Sequence, residues 1–291
     1  MSFDRPCCLT PSRPSAASAK AALKRISQGR LLSAERDERA ATSTLQSLRD
    51  AAGAPIIAFP PLGHSALFFR PLLDYVEPQI PILSIVPEAV LADDSLASFS
   101  ERIADELITR FPAGPYRLLG VCRGSHFAHA VGQRLRAAGH RVVLVVVDSE
   151  SPHMGSSGFL AKKAPVLLFR GAHVLRLIAH HRLDYIPGRI RLAWHEWRDP
   201  AVGARLQLQR HLFRLTELFR AEPSDVRVIC IESEEARDSK TYESHRGWQR
   251  LAGEQFESLV FPGTDHQSMT AAQTPYLPNI AKALSEAFSN R

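Results

Sequence analysis

Apolar residues recur along this chain in two alternating rhythms, and the alternation predicts a mostly parallel β-sheet covered by helices on both faces. Apolar runs of strand length occupy 55–59, 80–86, 116–121, 141–147, 226–231 and 256–261. The run ending Val142-Val143-Leu144-Val145-Val146-Val147 is continuous rather than alternating, the pattern of a strand buried on both faces of a parallel sheet. Between the runs, 66–76, 95–111, 123–138, 242–251 and 273–288 carry apolar residues at helical spacing. Ser95 is placed to cap its helix, and Gly139 stops the one after 123. A short edge strand is expected within 42–49.

The alternation breaks once. After Asp148 the chain reads as consecutive helices at 159–181, 188–197 and 200–219 before strands resume at Val226. One helical insertion in a strand–helix series predicts an open parallel sheet with a lid. The expected organisation is a tail over 1–42, a core over 43–154 and 223–291, and a helical lid over 155–222.

The run Tyr116–Val121 leads directly into Gly120-Val121-Cys122-Arg123-Gly124 and then into a helix. Strand, Gly-x-nucleophile-x-Gly and helix in that order form the nucleophile elbow of the α/β-hydrolase fold, here with a thiol at the apex. A thiol nucleophile needs a base, and the base needs an orienting acid, in the chain order nucleophile, acid, histidine. Among twelve histidines, His266 follows the last strand and precedes the last helix, where an imidazole reaches the elbow. The acid is either Asp148, at the end of the strand after the nucleophile helix, or one of Glu232, Glu234, Glu235 and Asp238 at the end of the next. An oxyanion hole is expected from the amide of Arg123 and a second amide in Pro60-Pro61-Leu62-Gly63-His64; Leu62 is the donor there, because prolines have none. His64 lies too early in the chain for the base and is assigned to the loop or substrate entrance.

Composition narrows the class. Hydrophobic residues make up 45% and charged residues 23%, as in ordinary globular proteins. No apolar run reaches the ~20 residues of a membrane span, and the N-terminus lacks a signal-peptide core, so a cytoplasmic protein is expected. Four cysteines show no metal-ligand or disulfide spacing. The net charge of +6 is uneven: residues 159–222 hold twelve basic and five acidic side chains. No nucleic-acid motif accompanies them, so an acidic protein or a phosphate-bearing substrate arm is the expected partner.

Phe59-Pro60-Pro61-Leu62-Gly63, Gly114-Pro115-Tyr116-Arg117-Leu118-Leu119-Gly120, Val147-Asp148-Ser149 and Gly263-Thr264-Asp265-His266-Gln267-Ser268-Met269 together resemble the thioesterases of nonribosomal peptide and polyketide synthases. The likeness runs from about residue 44 to 288, and most of that family carries serine where this chain has Cys122. It implies that Asp148 is the acid of the triad. It also implies an acyl, aminoacyl or peptidyl group delivered on the phosphopantetheine arm of a carrier protein, with no other cofactor and no metal. The basic lid is the expected docking face for that acyl or peptidyl carrier protein. An initial methionine without an upstream carrier motif suggests a discrete, trans-acting enzyme. Dienelactone hydrolases and polyhydroxyalkanoate synthases also use a cysteine elbow, but the Pro-Pro loop and the acid's position argue against both.

The thiol bears on the outcome. An acyl-Cys122 intermediate is itself a thioester and keeps the activation of the incoming group. Hydrolysis, cyclisation, amide formation and transfer to a second carrier, as in an aminoacyl shuttle, all remain open at this stage.

Overall fold

The computed structural model describes residues 43–91, 93–152, 200–238 and 245–286. Seven strands pair into one sheet: β1 (Leu45–Arg49), β2 (Ile56–Phe59), β3 (Ile82–Ile85), β4 (Tyr116–Val121), β5 (Val142–Val147), β6 (Arg227–Ser233) and β7 (Phe256–Phe261). Their order across the sheet is β1-β3-β2-β4-β5-β6-β7. Only β1 runs antiparallel to its neighbour; every other pairing is parallel.

The continuous apolar runs are explained by burial on two faces. Along β5, Val142, Leu144 and Val146 enter one core cluster while Val143, Val145 and Val147 enter the other. The first cluster packs helices α1 (Leu96–Arg110) and α2 (Gly124–Ala137) onto the sheet through Phe99, Ile103, Phe127 and Val131. The second packs the segment Ala66–Asp74 and helix α7 (Leu277–Glu286) through Phe69, Leu72, Ile280 and Leu284. Each fully buried Leu, Ile, Val or Phe is worth about 1.5–3 kcal/mol of transfer free energy. The two faces therefore lock the strand register that brings the carboxyl ends of β4, β5 and β6 level with one another.

Helix α1 starts where the sequence predicts. The Ser95 hydroxyl accepts from the Ser98 amide, and the Ser98 hydroxyl accepts from the Ser95 amide, both at 3.0 Å. Two expectations need correction. Residues 66–76 form a 3₁₀ helix over Ala66–Asp74 rather than an α-helix, with Pro71 inside it unable to donate to an α-helical ladder. The closing helix begins at Leu277, not 273, since Pro275 disfavours helical backbone at the residue before it.

Four further α-helices are present among the described residues: α3 (Pro200–Leu218), α4 (Glu234–Asp238), α5 (His245–Ala252) and α6 (His266–Met269). Helix α3 corresponds to the third helix expected of the insertion. The tail over 1–42 and the first two helices of the insertion lie outside the described residues.

Candidate active site

The elbow is built by close approach. A Cβ on Gly120 would stand 2.4 Å from the Ser125 Cα, and one on Gly124 would stand 2.4 Å from the carbonyl oxygens of both Phe59 and Pro60. Real side chains do not fit such gaps, so both positions require glycine. Between them Cys122 adopts φ 50°, a left-handed conformation that costs a non-glycine residue on the order of 1–3 kcal/mol. Its amide donates to the Val147 carbonyl at 2.9 Å, which extends the β4–β5 ladder to the apex and leaves the thiol partly exposed.

Asp148 is the one other described non-glycine residue with positive φ, at 42°. Its amide donates to the Ile231 carbonyl at 2.8 Å, continuing the next ladder across the sheet. The carboxylate is fully buried, at 0% exposure, and both oxygens are used. Oδ1 accepts from the Ser233 amide at 2.7 Å and Oδ2 from His266 Nδ1 at 2.7 Å.

His266 opens helix α6 rather than lying in an open loop. Asp265 caps that helix by accepting from the Ser268 amide at 2.7 Å. Two acids at the end of β6 hold the approach: Glu234 accepts from the Gly263 amide at 2.8 Å and Glu235 from the His266 amide at 3.1 Å. With Nδ1 on Asp148, the imidazole has Nε2 left for the thiol, and a side-chain hydrogen bond links His266 to Cys122. The hydrogen bond donated to Asp148 chiefly, then the one with Cys122, pushes the His266 pKa up to about 10 against partial desolvation. The imidazole is thus held as imidazolium at neutral pH.

Leu62 lies in the loop after β2, and Phe59 pairs with Gly120 across the ladder. The fit of Gly124 against Phe59 and Pro60 presses that loop onto the elbow. Among the described residues, neither the Leu62 nor the Arg123 amide donates to a backbone carbonyl. His64 is exposed and packs edge-on to Phe68 at 5.1 Å between ring centres.

The structure brings Cys122, His266 and Asp148 together. It engages Glu232 elsewhere, with Arg237 at 3.2 Å and His245 at 3.1 Å. Sequence reasoning missed the supporting parts of the site. The acidic run after β6 was visible, but nothing local marked Glu234 and Glu235 as anchors of the His266 segment. Among the described residues no group of three metal-ligating side chains is assembled, and no helix is long and apolar enough to cross a membrane.

Residues 54–179 match the thioesterase domain family. Enterobactin synthase component F of Escherichia coli is 29% identical over 151 residues, half of this chain; the chain spans 11% of that relative's length. Among solved structures, the NocB thioesterase domain from the nocardicin cluster superposes with a TM-score of 0.58 at 19% identity, covering 86% of this chain and all of that one. The type II thioesterase BorB from the borrelidin biosynthetic cluster superposes with a TM-score of 0.57 at 18% identity, covering 84% and 97%. At these identities the structural likeness carries the fold, which is that of the α/β-hydrolases.

Proposed function

We infer that this chain, a member of the thioesterase family of nonribosomal peptide and polyketide synthases, transfers an acyl, aminoacyl or peptidyl group through a thioester on Cys122. The observation that carries this reading is the hydrogen-bonded series from Asp148 through His266 to Cys122, with Cys122 and Asp148 following the adjacent strands β4 and β5 and His266 following β7. The donor is the phosphopantetheine thioester of a carrier protein, and basic residues of the insertion supply the docking face.

In the first half-reaction the Cys122 thiolate attacks the thioester carbonyl. The Sγ–C bond forms, and the carbonyl oxygen becomes an oxyanion received by the Leu62 and Arg123 amides. Collapse breaks the C–S bond to the pantetheine arm, whose thiolate takes the proton from His266. Acylation then removes the interactions with Cys122, two of the causes that raise the His266 pKa. The same imidazole becomes a base and takes a proton from the acceptor as the acceptor bonds to the thioester carbon; collapse of the second oxyanion then breaks the C–Sγ bond and releases the Cys122 thiolate.

The thiol favours transfer as well as release. Exchange between two thioesters is nearly isoenergetic, so an acyl group on Cys122 retains the drive to reach an amine or a second carrier thiol. The test incubates the protein with one loaded and one empty carrier and follows the group by intact-protein mass spectrometry. Free acid or a ring marks release, and a newly loaded carrier marks shuttling. Failure of both, with the donor carrier still loaded, would sink the proposal.

A further inference from the structure

The two amides assigned to the oxyanion stand on separate elements, and helix α3 grips both. From α3, Thr216 accepts a hydrogen bond from Arg123 Nη1 at 3.2 Å, and the Phe213 ring lies 5.4 Å from the Arg123 guanidinium carbon. Thr216 is 1% exposed and donates its own proton to the Phe213 carbonyl at 2.9 Å, so its oxygen is fixed in direction. Among the described residues no carboxylate pairs with Arg123. A charged side chain adjoining the nucleophile is committed to a neutral hydroxyl and a ring on this one helix.

On the opposite side, Arg205 of α3 donates to the Gly63 carbonyl at 3.1 Å. Gln209, one turn on, lies so close to Gly63 that a Cβ there would meet its Nε2 at 2.7 Å. Pro60 and Pro61 are buried, but Leu62 is only partly buried against the core. An apolar cavity of about 20 Å³ lies between Pro60, Pro61, Leu62, Gly124 and Leu212, the last from α3. A loop resting beside a void has room to shift by a fraction of an ångström, and an oxyanion donor displaced that far loses much of its effect.

We propose that helix α3 is a clamp that sets the separation of the two oxyanion amides, with the Arg123 side chain as its positioning residue. This rests on the acyl transfer proposed for Cys122. The guanidinium touches no reacting atom; it acts by holding the backbone from which its own amide projects. The clamp also couples the insertion to the chemistry, since whatever displaces α3 opens the hole.

The test compares Arg123→Met, Arg123→Lys and Thr216→Val with the unaltered protein in three reactions of Cys122. Acylation by a carrier-bound thioester and reversible adduct formation with an acyl-chain aldehyde both create an oxyanion; alkylation by iodoacetamide does not. Arg123→Met is expected to slow acylation and weaken the aldehyde adduct by roughly 10–100-fold, chiefly in kcat rather than KM. Alkylation should stay within about twofold, and Arg123→Lys should recover part of the loss because it restores a donor to Thr216. A parallel fall in alkylation would assign the effect to the thiolate or the fold and overturn the clamp, as would acylation and aldehyde binding at unaltered levels. If no thioester acylates even the unaltered protein, the functional reading fails and the aldehyde adduct alone decides the clamp. Absence of that adduct in the unaltered protein overturns the clamp too.

Discussion

Two buried carboxylates lie near the carboxyl ends of neighbouring strands of this sheet, each beside a histidine, and their surroundings give them different work. Asp148, after β5, accepts from one backbone amide and from His266, whose remaining nitrogen serves the thiol. Glu232, within β6, is equally buried but meets Arg237 and His245, and Arg237 also reaches His245 and Ser258. Burial and a histidine neighbour are common to both. What separates them is the pairing: Glu232 meets the Arg237 guanidinium as well as His245, whereas Asp148 accepts from His266, the histidine that faces the thiol. Backbone conformation matters as well. The φ of 42° at Asp148 turns its side chain out of the strand's alternation and toward α6.

The largest expected effect separates these two carboxylates directly. Asp148→Asn should lower the acylation rate roughly 10²–10⁴-fold, because the amide cannot hold the imidazolium or its tautomer. Glu232→Gln should leave that rate within about threefold while lowering the stability of the β6–β7 corner by about 1–3 kcal/mol. Steady-state kinetics and urea unfolding of the two variants check both. Comparable losses of rate in the two would erase the distinction.

The pH response follows from the same contact. The raised His266 pKa means the folded protein holds a proton that the unfolded chain releases near pH 6.5. That contribution to stability is complete below about pH 6.5 and is lost as pH rises through about 10. Asp148→Asn removes its first cause, so the His266 pKa should drop toward 6.5 in a titration followed by histidine NMR signals. A value that stays near 10 would show that Asp148 is not its source.

A third histidine sharpens the contrast by having no carboxylate at all. His129 is fully buried, lies 5.6 Å from the Trp248 ring, and among the described residues has no hydrogen-bond partner on either nitrogen. Burial lowers its pKa to about 4, the opposite direction from His266. The unfolded chain binds this proton more readily than the folded one, so stability falls as pH drops from about 6.5 to about 4. His129→Phe should therefore raise unfolding free energy at pH 5 by about 2 kcal/mol more than it does at pH 8, without altering acylation. Equal shifts at the two pH values would contradict a neutral buried imidazole.

Local pattern carried the scaffold further than the site. Strands β4 and β7 fall on the boundaries read from the sequence, because apolar runs bounded by turns have few other ways to be buried. The 3₁₀ segment escaped because its apolar spacing suits an α-helix and only Pro71 signals otherwise. Helix α6 has a legible start in Asp265 and Ser268, yet at one turn it has no periodicity to register. Choosing among Asp148 and the later acids needed the family likeness, since chain order alone admits them all. The tie between Arg123 and Thr216 spans 93 residues, a separation at which no spacing rule operates.

The most direct measurement of the central claim is the mass and position of a trapped acyl group. Brief mixing with a loaded carrier, acid quenching and peptide mapping should find one acyl group per chain, on Cys122. The adduct should be labile to hydroxylamine and absent from Cys122→Ala. An adduct that persists in that variant, or that maps to another residue, would contradict the account.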